Sequence, residues 1–306
     1  MTQKQYVTIL GDSYLVDKVK NHYKDDQKEN NNEYIVFFAK RSDLIVAIYS
    51  SKKDDVYKII FSGSDPLKEA LKFDKNAKLN EKKEKTAPKK ASWIFISNQI
   101  GSDEVGTGDL FGPICVAGAY IKKEDITTLK ALKIDDSKRL SDEDILKLGE
   151  KLINLVDYSQ VSLNNEKYNE LIDKNINMNE MKVKLHNQVL LNLKKRHPDV
   201  DMFFVDQFLE SDKYFDYLKD TDEVVKNINF KTKGESYFPC VAVASIIARY
   251  SFLKKMEQIK EKYQFDIPFG ASAKVTKAAE DFAKAYGRSE LAKIVKKNFV
   301  NVKDIL

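Results

Sequence analysis

Residues 100–113 read Ile100-Gly101-Ser102-Asp103-Glu104-Val105-Gly106-Thr107-Gly108-Asp109-Leu110-Phe111-Gly112-Pro113. An apolar run, Trp93 to Ile96 and then Ile100, leads into the adjacent carboxylates Asp103 and Glu104. Glycines follow at 106, 108 and 112. Neighbouring carboxylates repel unless positive charge sits between them. A hard divalent cation such as Mg²⁺ or Mn²⁺, which prefers oxygen ligands, would relieve that repulsion. Glycines just beyond allow backbone N–H groups to approach a ligand closely. The alternative is a solvated Asp-Glu pair beside an ordinary turn. A dinucleotide-binding oxidoreductase, a further alternative, is weakened by spacing, because the glycines give G-x-G-x-x-x-G and no helix-opening pattern follows. Pro113 to Ile121 reads instead as a second buried strand, so the chain returns on itself as a hairpin. No phosphate loop of the form G-x-x-x-x-G-K-[ST] occurs anywhere.

The composition narrows the class. The chain has 306 residues, 42% hydrophobic and 32% charged, which suits a folded chain of two domains with a sizeable core. No apolar run is long enough for a membrane span, and the first residues lack the apolar core of a signal peptide. Cys115 and Cys240 lie in apolar stretches and read as small core residues in a reducing cytoplasm. The three histidines, His22, His186 and His197, are too scattered to suggest a histidine-based site.

Charge is uneven. Residues 1–92 hold 19 Lys and Arg against 14 Asp and Glu, whereas the remainder holds 33 of each. Either the first part grips a polyanion or its lysines simply solubilise it. Residues 1–77 are expected to form an N-terminal domain, 78–92 a charged linker containing Pro88, and 93–306 a second domain. In the first domain, strands are expected at Tyr6–Leu10, Glu33–Ala39, Leu44–Ser50 and Asp55–Ser62. Ser13 is expected to cap a helix running to about Tyr23, and Ser64–Glu69 to open a helix ending near Phe73. The order β-α-β-β-β-α implies an antiparallel sheet backed by helices. The second part alternates strands at 93–103, 113–122, 159–164, 202–206 and 224–230. Helices are expected near 124–133, 141–156, 178–196, 211–219 and 236–262, with more beyond 273. This is a mixed α/β layer pattern.

Further acids stand at telling places. Met202-Phe-Phe-Val-Asp206 is a short buried strand ending in a carboxylate, a position that also suits a turn or helix cap. Glu235 precedes a small-residue helix, Tyr237 to Arg249, that is apolar on all sides and therefore buried. Alone it would pass as an acid favoured by a helix N-terminus. Asp136-Ser-Lys-Arg-Leu140 is followed by Ser141, a helix cap with Asp144 at the capping-box position.

Taken together, these motifs resemble the type 2 ribonucleases H, the group of ribonucleases HII and HIII. The match covers most of residues 93–300. It rests on Gly101 to Pro113, Asp136 to Leu140, the Asp206 strand and Lys233 to Arg249. Thr107 stands where ribonuclease HIII often has Thr or Lys and HII usually has Arg, and Glu235 stands where HIII usually has Glu and HII usually has Asp. The resemblance implies a ribonuclease H-like mixed-sheet catalytic domain. It also implies a small N-terminal α+β domain, similar to half of a TATA-binding protein, that holds the substrate.

The resemblance implies further that Asp103, Glu104, Asp206 and Glu235 hold two Mg²⁺ or Mn²⁺ ions. The RNA strand of an RNA–DNA hybrid would be hydrolysed to 5′-phosphate and 3′-hydroxyl ends. The backbone of Gly106, Thr107 and Gly108 would sense the ribose 2′-hydroxyl, and Thr107 excludes a charged phosphate contact from that position. Ser137, Lys138 and Lys233 would also touch the substrate. The chain is expected to be a cytoplasmic monomer. The alternatives are HII-type cutting at a single embedded ribonucleotide, or a hybrid-binding protein with a silent site. Asn165 to Asn169, Lys184 to Gln188 and Gly270 to Lys274 are also similar to ribonuclease HIII stretches, without an assigned chemistry.

Overall fold

The computed structural model describes residues 5–30, 35–50, 55–80, 93–134 and 140–306. The chain divides into two compact units, residues 1–88 and 89–306.

In the first unit, strands β1 (Gln5–Gly11), β2 (Ile35–Arg41), β3 (Leu44–Ser50) and β4 (Tyr57–Gly63) form one antiparallel sheet in the order β1-β4-β3-β2. Helices α1 (Ser13–His22) and α2 (Pro66–Ala70) accompany it. Alternate strand residues such as Val7, Ile9, Ile59 and Phe61 are buried with Val16 and Val19 of α1, as a sheet with one covered face requires. Two expectations are corrected. Asp12, not Ser13, caps α1, because its carboxylate accepts the Leu15 N–H at 2.9 Å. Helix α2 stops at Ala70 rather than Phe73, and Phe73 packs onto Phe61 and Tyr23. The expected strand starting at Glu33, the turn at 50–54 and most of the linker lie partly or wholly outside the described residues.

The second unit is built on a five-stranded sheet in the order β7-β6-β5-β8-β9. Its strands are β5 (Gln99–Val105), β6 (Ile114–Ile121), β7 (Tyr158–Leu163), β8 (Phe203–Asp206) and β9 (Ile228–Lys231). Strands β5, β6 and β7 pair antiparallel, whereas β8 runs parallel to β5 and β9 parallel to β8. The helices are α3 (Asp125–Ala131), α4 (Asp142–Leu155), α5 (Asn165–Asp173), α6 (Met178–Arg196), α7 (Ser211–Asp216), α8 (Pro239–Tyr263), α9 (Ala273–Tyr286) and α10 (Arg288–Ala292).

Helix α8 covers one face of the sheet and α6 the other. The buried helix expected from residue 236 begins at Pro239, after a 3₁₀ turn at Gly234–Ser236. The strand expected from residue 93 begins only at Gln99. Trp93 and Phe95 pack on the apolar core around α8, and Ile94 donates its N–H to the Tyr237 carbonyl. Their hydrophobicity therefore serves packing rather than sheet pairing. Helix α5 was not anticipated. Asn164 caps it, and its buried residues include Asn165 and Asn169, which obscures an apolar stripe.

Strand alternation divides β5 between the two helices. Gly101 and Asp103 face α8, whereas Ser102 and Glu104 face α6. A Cβ at Gly101 would lie 2.6 Å from Cys240 Sγ and 2.9 Å from the backbone nitrogen of Val241. Backbone cannot move aside cheaply there. Gly101→Ala is expected to destabilise the protein by about 1–3 kcal/mol through overpacking, read as a lower midpoint in urea. An unchanged midpoint would contradict this account of the β5–α8 contact.

Candidate active site at the end of β5

Asp103, two residues before the end of β5, lies beside Asp206 at the end of the parallel strand β8, since Ser102 pairs with Val205. Asp206 shares the α8 face with Phe204, whose ring packs against Phe238. The turn after β9 then closes on Asp206. Lys233 is exposed and adopts a left-handed conformation (φ +60°), a geometry that non-glycine residues seldom take. This aims the Gly234 N–H at Asp206 Oδ1, 2.8 Å away. Glu235 is the next residue, in the 3₁₀ turn leading to α8. Three of the four acids thus belong to the α8 side, and Glu104 alone faces α6.

Asp103 is only 8% exposed. Burial pushes its carboxyl well above the ordinary carboxylate range, and the charges of Glu104 and Asp206 push it further. The Glu104 N–H, 2.7 Å from Oδ1, and the Ser245 hydroxyl oppose this only in part. Glu104 moves the other way. Burial would raise it, yet His186 and Lys182 outweigh burial and lower it to about 2. His186 Nε2 lies 2.9 Å from Oε2, and Lys182 Nζ donates to Oε1 at 2.7 Å. Both donors come from α6, four residues apart and so on one helix face. His186 Nδ1 meets Ser102 Oγ at 2.8 Å, so the same strand face supplies the acid and the hydroxyl that orients the imidazole.

Sequence reasoning passed over His186 and assigned Lys182 nothing. Their i, i+4 spacing opposite an alternating strand was the signal available. Among the described residues, no group of three or more His, Cys, Asp and Glu side chains is gathered closely enough to hold a metal ion as it stands. Protein donors hold Asp103, Glu104 and Asp206 individually. The donor set nevertheless suits a hard divalent cation. It is entirely oxygen, and the repulsion that raises Asp103 is what a cation would relieve.

The glycine turn is fixed from outside. Gly106 has φ +97°, and a Cβ there would lie 2.2 Å from the Pro113 carbonyl oxygen, so only glycine fits. Thr107 is half-buried. Gly108 is exposed, its φ is not positive, and its Cβ position has no neighbour within 4 Å. Neither packing nor backbone geometry demands glycine at 108.

Beyond it, Lys296 is fully buried and donates to the carbonyls of Asp109 (2.8 Å) and Gly112 (2.6 Å). Burial pushes its amine down to about 7, against the upward pull of Asp109. Asn165 donates to the same Gly112 carbonyl, and the Gly270 N–H donates to Asp109 Oδ1. The Asn165 and Gly270 segments singled out in the sequence therefore brace the turn. Asn169 holds the carbonyls of Ala292 and Val295, and Asn187 holds the loop before β9. Ser137 and Lys138 lie outside the described residues. Ser141 does cap α4, in a reciprocal bond with Asp144.

This arrangement has relatives. The ribonuclease HII family model matches residues 100–302, and a domain family of unknown function (DUF3378) matches residues 6–86. Ribonuclease HIII of Bacillus cereus (strain ZK / E33L) is 35% identical over 307 residues, spanning 96% of each chain. Ribonuclease HIII of Phytoplasma mali (strain AT) is 38% identical over 288 residues, spanning 93% of each chain. The crystal structure of Bst-RNase HIII in complex with Mn²⁺ has a TM-score of 0.67 at 33% identity, with 97% of each chain covered. With its carboxylate-tipped strand pair on a five-stranded mixed sheet, and with relatives matched along nearly the whole chain, the protein belongs to the ribonuclease HIII family.

Proposed function

We propose that this protein is an endoribonuclease that hydrolyses the RNA strand of RNA–DNA hybrids, leaving 5′-phosphate and 3′-hydroxyl ends. Asp103, Glu104, Asp206 and Glu235 would hold two Mg²⁺ or Mn²⁺ ions. The observation that carries this reading is Asp103 beside Asp206 on adjoining parallel strands, its carboxyl raised first by burial and then by the charges of Glu104 and Asp206. Bound ions would supply Lewis acidity at both the attacking water and the leaving oxygen.

The chain's own groups divide the remaining tasks. His186 and Lys182 keep Glu104 ionised and oriented. The exposed backbone at Gly108 is open to a ribose 2′-hydroxyl, the group that separates RNA from DNA. Lys233 is exposed next to Asp206 and Glu235, where it can meet a phosphate. The basic excess of residues 1–92 favours a polyanion grip in the N-terminal unit. Both cysteines are free and buried, in keeping with a reducing compartment such as the cytoplasm. Among the described residues, no helix is long and apolar enough to cross a membrane.

With Mg²⁺ or Mn²⁺ present, wild type should cut a continuous RNA–DNA hybrid and Asp103→Asn should lose at least about 10³-fold in rate. Cutting of DNA that carries one embedded ribonucleotide would favour HII-type specificity, and metal-independent binding without cutting would leave a silent binding protein.

Asp103→Asn should also stabilise the metal-free protein near neutral pH. A carboxyl with a raised folded pKa contributes stability only at low pH, and that contribution is lost as pH rises through the folded value. Removing the charge should therefore raise the urea midpoint. Gly108→Ala should leave the unfolding free energy in urea within about 0.5 kcal/mol of wild type while raising KM for hybrid. Deleting residues 1–90 should raise KM more than it lowers kcat, and an unchanged KM would count against the grip.

A further inference from the structure

Lys182 stands apart from the other lysines of α6. Lys184, Lys194 and Lys195 reach towards solvent, whereas the Lys182 side chain is 8% exposed. Its ammonium lies 2.7 Å from Glu104 Oε1 and 3.6 Å from the centre of the Phe208 ring. Burying an ammonium costs several kcal/mol before its pairing is counted, and a space-filling role would be met by Leu or Met. Hydrogen bonding alone does not explain it either, because His186 already holds the other oxygen of Glu104. What Lys182 adds is a fixed positive charge beside Glu104.

We propose that Lys182 is a built-in counter-charge of the acidic site, which holds Glu104 in its working position and weakens the site's attraction for divalent cations. The proposal rests on the metal-binding reading given above. The Lys182 charge neutralises part of the field that Glu104 presents, so a divalent ion that takes Glu104 as a ligand enters against a resident cation. Two consequences follow with opposite signs. Loss of the charge deepens the negative potential and tightens metal binding. The same loss frees one oxygen of Glu104, and turnover falls. A residue that merely positioned a ligand would lose metal affinity and activity together when removed.

The test is calorimetric titration of Mn²⁺ into the full chain without nucleic acid, beside kcat on an RNA–DNA hybrid. Lys182→Met keeps the stem length and removes the charge, Lys182→Gln removes the charge but keeps a donor, and Lys182→Arg keeps the charge. Lys182→Met and Lys182→Gln should bind Mn²⁺ about tenfold more tightly than wild type. Their kcat should fall about tenfold or more. Lys182→Arg should stay near the wild-type Mn²⁺ affinity.

If Lys182→Met fails to fold, Lys182→Gln decides the matter. Equal or weaker Mn²⁺ binding in a folded, charge-free variant would overturn the counter-charge while leaving the metal site intact. Wild-type protein showing no Mn²⁺ binding that Asp103→Asn removes would overturn the metal reading, and the counter-charge with it.

Discussion

Like charge gathered at the ends of two parallel strands is the constraint around which the larger unit is arranged. Asp103 and Asp206 are adjacent because β5 and β8 pair in parallel, and Glu104 follows directly in the chain. Water cannot screen a buried Asp103, so protein donors must hold each acid. The Glu104 N–H and Ser245 serve Asp103, the Gly234 N–H serves Asp206, and α6 supplies a lysine and a histidine to Glu104. The sheet is thus a divider as well as a platform. Its α8 face collects three acids, and its α6 face brings the cation that moderates the fourth.

The glycine turn depends on a different economy, in which carbonyls rather than carboxylates need partners. Residues 106–113 lie outside the helices and named strands, joined to a later segment by an isolated antiparallel bridge between Phe111 and Val295, and buried carbonyls without donors are costly. Lys296, Asn165 and the backbone nitrogen of Lys296 answer the carbonyls of Asp109, Leu110 and Gly112. A lysine without a carboxylate partner is an unusual choice in so buried a place. Its flexible stem and several N–H groups let one side chain close two carbonyls at once.

Local features were legible in the sequence, and long-range ones were not. The hairpin from β5 to β6 followed from an apolar run, a glycine turn and a second apolar run. The four acids could be named through the motifs that resemble type 2 ribonucleases H, because alone each also suited a solvated pair, a turn or a helix cap. His186 and Lys182 were opaque because their partner lies about 80 residues away, at Glu104, in another layer. Lys296 offered no pattern at all, since its acceptors are backbone carbonyls. Trp93 and Phe95 misled because apolar side chains look alike whether they pair in a sheet or cover a helix. Asp12 displaced Ser13 as the cap by one position, and both residue types accept an N–H equally well.

The brace on the glycine turn also sets an order of events during synthesis. Gly112 and the lysine that closes its carbonyl are 184 residues apart. The strand carrying Asp103 and Glu104 leaves the ribosome long before that lysine is made. Contacts of such separation form late and depend on the rest of the domain being in place. A partly translated chain therefore carries acids without the braced turn beside them. Chain order thus delays the finished site until its last brace has been translated.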